Sequence, residues 1–284
     1  MRLTAPAAAS LCLLATCLAV AAQQHGGADI SREDMIRLYQ DCDETRWPGG
    51  TEVRHVPRTP QEIAAGVVRR RALEAAWRER FARWRGGSPA ATPRSAWRYP
   101  LEDAGSLLRN YTEPTGSHEA LDIFVGRPGV EVRAPAAGVV VAAGDDWRGG
   151  WSRVGGLWYS GGGLSRNSGN GIILFEPGRG GYFLFSHLRA GLPVRPGDVV
   201  PAGAPLGRVG PTGSAAQPGH GRHLHLAYKE PGSDCGAQGV LVAQNPFQWL
   251  SAARSRERRS LDQALVARHP PQPARSGDRA RGGR

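Results

Sequence analysis

The sequence predicts a mainly β domain, preceded by a helical segment and followed by a basic tail. Three observations predict it. Short runs of β-branched and aromatic residues, such as Asp122-Ile123-Phe124-Val125 and Gly171-Ile172-Ile173-Leu174-Phe175, have the composition of strands. Glycine and proline are abundant, 39 and 22 of the 284 residues, which suits short elements joined by many turns. The stretch ahead of them instead carries helix-start signals and helical apolar spacing.

Taken in chain order, Met1-Arg2, an apolar run through Leu11 to Val20, and Ala21-Ala22-Gln23 read as a secretory signal over residues 1–22. The run is too short to span a bilayer, and no other stretch is long and apolar enough to do so. The expectation is an exported chain, periplasmic or extracellular, with no transmembrane segment once the signal is removed. Leu14-Ala15-Thr16-Cys17 faintly resembles a lipobox, but Thr16 departs from the small residue usual there, so lipidation is the secondary reading. Two cysteines, Cys42 and Cys235, remain in the mature chain. In an oxidising compartment they either pair or stay as two thiols, and spacing alone does not choose.

Residues 23–96 read as the helical segment. Ser31-Arg32-Glu33-Asp34 opens a short periodic run through Met35, Ile36, Leu38 and Tyr39. Thr59-Pro60-Gln61-Glu62 is a stronger start, with an N-cap, a proline at the first helical position and a glutamate three residues on. Its helix carries Ile63, Val67, Trp77, Phe81 and Trp84 on one face and Arg69, Arg70, Arg71, Arg78 and Arg80 on the other, and stops at Gly86-Gly87-Ser88-Pro89. The arginine face is read either as a dock for an anionic polymer or as a solvated face beside the next domain.

Residues 97–250 hold the strands, among them Gly138 to Gly144, Gly171 to Phe175 and the segment around His223-Leu224-His225-Leu226. Between the first two lies a Gly-rich insert, residues 145–170, with Trp147, Trp151, Trp158 and Tyr159. Loops this long are usually functional or disordered. Its rings either stack on sugar or peptide faces or pack against one another. Residues 251–284 form the tail, with a short helix from Ser251 to Ala267 and an unfolded end. From Arg254 onward, nine arginines face Glu257, Asp262 and Asp278, so +6 of the chain's formal net charge of +11 lies here. Such a tail can hold the protein to an anionic wall or membrane surface. Nucleic acid is not expected, since the chain is exported and carries no reader motif.

Function is concentrated in three histidine-bearing segments: Ser117-His118-Glu119-Ala120-Leu121-Asp122, Ser186-His187-Leu188 and Arg222-His223-Leu224-His225. In a strand, His223 and His225 project to one side while Leu224 and Leu226 enter the opposite, apolar layer. His118 and Asp122 share the same parity. Imidazoles with a carboxylate suit zinc, and three protein ligands leave the fourth position open, as catalytic sites require. Bound zinc brings the pKa of its water to about 7 and polarises a carbonyl. Amide hydrolysis also needs a proton relay and a donor to the oxyanion, roles that histidine fills near neutrality. His220, in Gln217-Pro218-Gly219-His220-Gly221, reads as an exposed loop histidine.

From about Trp97 to Leu250 these residues resemble the lysostaphin-type (LytM-like) zinc endopeptidases of bacterial cell walls. The resemblance includes the His-x-x-x-Asp and His-x-His elements and Val132-Arg133-Ala134-Pro135-Ala136-Ala137-Gly138-Val139-Val140. It also includes Phe185-Ser186-His187-Leu188, Val194-Arg195-Pro196-Gly197-Asp198-Val199-Val200, and Leu206-Gly207-Arg208-Val209-Gly210-Pro211-Thr212-Gly213. It implies a compact, mostly antiparallel β-sheet domain with a groove. It also implies one Zn2+ per chain held by His118, Asp122 and His225, with His187 and His223 as catalytic neighbours. The implied reaction is hydrolysis of peptide bonds in peptidoglycan cross-bridges or stem peptides. Two alternatives remain: a non-catalytic LytM-like module that binds wall or activates another hydrolase, and a zinc-stabilised binding module closed by a fourth ligand, for which His220 is the candidate.

Overall fold

The computed structural model describes residues 30–46, 54–87, 92–102, 107–108, 119–149 and 162–268. The signal segment, His118, the insert's Trp151, Trp158 and Tyr159, and the chain from residue 269 lie outside them.

Both predicted N-terminal helices form. In α1 (Arg32–Tyr39) the Ser31 hydroxyl accepts from the Asp34 N–H at 3.1 Å. In α2 (Pro60–Arg85) the Thr59 hydroxyl and the Glu62 carboxylate cap each other's backbone, and Gly86 ends the helix with φ +74°. A small antiparallel pair, β1 (Asp43–Arg46) and β2 (Arg54–Pro57), joins the two helices.

The remaining strands are β3 (Leu107–Leu108), β4 (Leu121–Phe124), β5 (Glu131–Arg133), β6 (Gly138–Gly144), β7 (Asn170–Glu176), β8 (Gly181–Leu188), β9 (Val199–Val200), β10 (Pro205–Arg208), β11 (His223–Asp234) and β12 (Ala237–Ala243). All their pairings are antiparallel. The main sheet runs β3-β4-β11-β8-β7-β6-β9, with β12 paired to the far end of β11, while β10 and β5 pair separately. Strand alternation divides the apolar residues between two cores. Ile172 and Leu174 of β7, Phe183 and Phe185 of β8, and Leu224, Leu226 and Tyr228 of β11 enter one core with Trp97, Val132 and Leu250. Ile173 and Phe175, Tyr182, and Val139 and Val141 of β6 face the other way, against Met35, Leu38 and Tyr39 of α1 and Trp77 and Phe81 of α2. Because both faces are covered, β7 is buried at every position.

Three details differ from the sequence reading. Trp84 is 49% exposed, because α2 outruns the sheet before its last turn. Arg70 is buried rather than on an open arginine face. Its guanidinium reaches Asp41 at 2.7 Å, Glu74 at 3.2 Å and the Gly239 carbonyl, and the Tyr182 hydroxyl donates to Glu74 at 2.8 Å. The helix expected from Ser251 begins four residues earlier, as α3 (Phe247–Arg268). Asn245 caps it by accepting from the Phe247 N–H at 3.0 Å, and Pro246 supplies a first residue with no amide hydrogen to leave unpaired.

Cys42 and Cys235 are joined, with their Cα atoms 6.1 Å apart across 193 residues of sequence. Cys235 and Gly236, at φ +49° and +71°, form the two-residue turn between β11 and β12. The bridge therefore fastens the end of α1 to this hairpin.

Candidate functional site

The face of the sheet that α1 and α2 cover over β6 and β7 carries polar residues over β4, β11 and the end of β8. Strand register puts three of them in one transverse row, Asp122 on β4 opposite His225 on β11, and His225 opposite Ser186 on β8. One step along, His223 stands opposite Phe124, their rings 5.1 Å apart. The predicted parity is realised, since Leu224 and Leu226 are wholly buried in the apolar core behind.

His187 joins this face by a backbone irregularity. The β7–β8 register slips between Asn170 and Ile172, and His187 sits at φ +63°, a left-handed conformation that costs a non-glycine residue roughly 1–2 kcal/mol. Surrounding hydrogen bonds hold it there. Its N–H donates to the Ser168 carbonyl at 2.8 Å, its carbonyl accepts from Gly210 at 2.8 Å, and its Nδ1 meets the Thr212 carbonyl at 2.9 Å. Thr212 is itself fixed, its hydroxyl donating to the Leu188 carbonyl at 2.8 Å and accepting from the Asn170 N–H at 3.0 Å.

The side chains converge. His187 and His223 have ring centroids 4.8 Å apart, and His187 and His225 5.7 Å. Asp122 Oδ1 lies 3.2 Å from His225 Nδ1 and 3.8 Å from His223 Nε2. His223 Nδ1 meets the Gly221 carbonyl at 3.1 Å. A carbonyl only accepts, so Nδ1 carries the proton in both His187 and His223, and each neutral ring keeps an Nε2 lone pair. Burial, with the neighbouring imidazoles of His225 and His223, pushes His187 down to about 3, and burial also lowers His223. Both rings are therefore neutral bases at neutral pH.

These residues line a cavity of about 480 Å³ with Phe124, Asn167, Ser168, Ser186, Ser214 and His220. Four of the five histidine and aspartate positions singled out from the sequence thus lie together, and the fifth, His118, is outside the described residues. His220 is exposed, as expected, yet it lines the same cavity. Asp122 and His225 are a nitrogen and oxygen donor pair suited to zinc. Among the described residues, three potential ligand atoms lie within 4.8 Å of one another only at Cys42, Asp234 and Cys235, whose two sulfurs are joined in the disulfide.

Sequence reasoning missed the wall formed by the returning limb of the insert. The Asn167 carbonyl accepts from the Ser214 N–H at 2.8 Å, and Gly213 lies so close that a Cβ there would come within 2.1 Å of that carbonyl oxygen. The available signal was Pro211-Thr212-Gly213, a glycine that the turn requires at φ +62°. At the insert's other end, the Trp147 N–H donates to Asn170 at 2.8 Å, and Asp146 accepts from Gly163 at 3.0 Å. The two ends of the insert therefore pack on each other.

Residues 116–236 match the model of peptidase family M23. Among solved structures, the chain is similar to a LytM from Ruminococcus gnavus described as a glycyl-glycine endopeptidase, with 17% identity over 71% of this chain and 76% of that one and a TM-score of 0.42. It is also similar to lysostaphin, the antimicrobial peptidase of Staphylococcus simulans, with 26% identity over 58% of this chain and 56% of that one and a TM-score of 0.38. A zinc-containing peptidase of Vibrio cholerae is 15% identical over 54% of this chain and 39% of that one, with a TM-score of 0.34. The chain thus spans only about half of lysostaphin. Among curated proteins none matches.

Proposed function

We propose, because residues 116–236 match the model of peptidase family M23, that the chain is an exported zinc endopeptidase acting on peptidoglycan peptides. One observation supports this above the others: Asp122 and His225 meet at 3.2 Å beside two buried imidazoles whose Nδ1 atoms are tied to carbonyls. A purely structural histidine cluster has no need of two rings held in the basic tautomer over an open cavity.

In this reading His118, Asp122 and His225 hold one Zn2+, which supplies Lewis-acid polarisation of the scissile carbonyl and acidifies a water. The chain's own residues do the rest. His223 and His187 present Nε2 lone pairs to the cavity, so one takes a proton from the attacking water and passes it to the leaving amine. The Thr212 and Gly221 carbonyls hold the two rings in orientation and stabilise the protonated form as it appears. Phe124 stacks beside His223 and limits water around it. The substrate peptide lies along the cavity between Phe124 and the polar wall of Asn167, Ser168 and Ser214.

Residues 1–22 act as the export signal in this proposal, and the compartment is periplasmic or extracellular. Among the described residues, no helix is long and apolar enough to cross a membrane. The arginines of the C-terminal tail add an attraction to anionic wall or membrane surfaces. Digestion of purified sacculi by the mature protein tests the whole reading. Released muropeptides, lost with a chelator and restored by zinc, are expected. Intact sacculi under zinc-replete conditions would refute the reading.

A further inference from the structure

The carboxylate and the two tied imidazoles at the centre of the cavity offer acceptors. Asp122 presents a carboxylate, and His187 and His223 have spent their Nδ1 hydrogens on carbonyls, so they turn lone pairs inward. A peptide entering this space brings carbonyl oxygens that also only accept. Donors must therefore come from elsewhere on the wall.

Ser186 is the buried hydroxyl there. It is 1% exposed and lines the cavity, yet its Oγ has no hydrogen-bond partner among the described residues. Ser168 and Ser214, by contrast, are only half-buried and can bond to solvent. Burying a hydroxyl without a partner costs stability, and on the wall of a cavity a bound ligand can supply that partner. Its position agrees. Ser186 is the register partner of His225, which is the partner of Asp122, so the hydroxyl stands on the flank of His225 away from the carboxylate. Paired side chains on one face of adjacent antiparallel strands stand about 5 Å apart at Cβ. Next in sequence, His187 reaches the same cavity only through its left-handed backbone, which brings two consecutive side chains of β8 to one wall.

We propose that the Ser186 hydroxyl donates a hydrogen bond to a carbonyl oxygen of the bound peptide, making Ser186 a substrate-binding residue of this site. This rests on the peptidase reading given above. It predicts that the hydroxyl, rather than the volume of the side chain, determines how well substrate is used.

The test compares wild type, S186A and S186T, each loaded with zinc, on muropeptides of known composition. S186A removes a single oxygen from a buried position, so it folds, with a melting temperature equal to or above that of wild type and unchanged zinc content. Its kcat/KM is expected to fall about tenfold, the worth of one neutral hydrogen bond, and S186T recovers most of the loss. Wild-type kcat/KM in S186A would overturn the proposal. So would S186T as impaired as S186A at unchanged melting temperature, since the loss would then follow shape. If wild type cleaves nothing, the peptidase reading fails first, and the hydroxyl is judged by calorimetric binding of the same muropeptides. Tenfold weaker binding by S186A supports its role, while equal binding, or none by wild type, overturns it.

Discussion

Replacing Gly213 with alanine tests whether the returning limb of the insert is part of the catalytic apparatus. The residue sits at φ +62°, and an added Cβ would lie 2.1 Å from the Asn167 oxygen, 2.5 Å from the Gly169 nitrogen and 2.7 Å from the Ser168 carbonyl carbon. All three are backbone atoms, so no side chain can rotate away. Holding alanine in the left-handed region costs roughly 1–2 kcal/mol, and separating the limb from the turn adds more, so a total of about 2–4 kcal/mol of lost stability is expected, within the range of backbone-strain mutants. A kinetic effect of similar size should accompany it. The Ser168 carbonyl accepts the His187 N–H and the adjacent Thr212 carbonyl accepts from its Nδ1, so moving the limb by about 1 Å displaces the His187 ring. A misplacement of that size costs about a hundredfold in rate. Single-turnover cleavage of muropeptides by zinc-loaded G213A, at a temperature where calorimetry shows it fully folded, is the assay. Turnover within twofold of wild type would refute the claim that the limb positions His187.

The other predictions concern ligand roles, pH and the disulfide. His225→Ala should lose zinc and activity together, whereas His223→Ala and His187→Ala should retain near-stoichiometric zinc while turnover falls by roughly two to four orders of magnitude. Metal analysis beside the sacculus assay checks this, and zinc loss in His223→Ala equal to that in His225→Ala would reverse the roles within the pair. For the metal-free protein, the low His187 value sets a pH window. Above about 6.5 the ring is neutral in both states and contributes nothing. Between about 6.5 and 3 the unfolded chain binds a proton that the folded one refuses, so stability falls as pH falls, by at most about 1.4 kcal/mol per pH unit. Urea unfolding of the metal-free protein at pH 7 and pH 5 should show this loss, and His187→Asn should reduce it. Finally, Cys42→Ser opens a bridge spanning 193 residues, which chain entropy values at roughly 4–5 kcal/mol for loops of a hundred residues or more. An unchanged melting temperature would show that this crosslink does little.

Much of the site was legible because strand parity is rigid. Once Leu224 and Leu226 are assigned to a core, His223 and His225 have only one face left, whereas the register that sets Asp122 opposite His225 is a matter of strand pairing that parity leaves open. The capping residues Ser31, Thr59 and Glu62 were equally readable, since their partners lie within three residues. What sequence could not reveal depends on distant contacts. Arg70 reads as one of several arginines on a helix, and only Asp41, Glu74 and Gly239 together make its burial tolerable. The backbone turn at His187 leaves no local signal, because its positive φ is imposed by Ser168, Gly210 and Thr212 rather than by its own side chain. The early start of α3 was written in Asn245-Pro246, which also fits the loop that closes the domain.

The sheet face that bears the cavity also has a consequence for maturation. Over β6, β7 and the start of β8 that face consists of Val139, Val141, Ile173, Phe175 and Tyr182, packed against α1 and α2. Excising residues 32–85 would bare a continuous apolar surface next to the cavity, a cost that argues against removal of the segment. A protease that nicks the chain between β2 and α2 would leave α1 tethered through Cys42–Cys235 and through the Asp41–Arg70 ion pair to α2, which stays joined to the domain by the chain itself. The chain could thus be clipped there without coming apart.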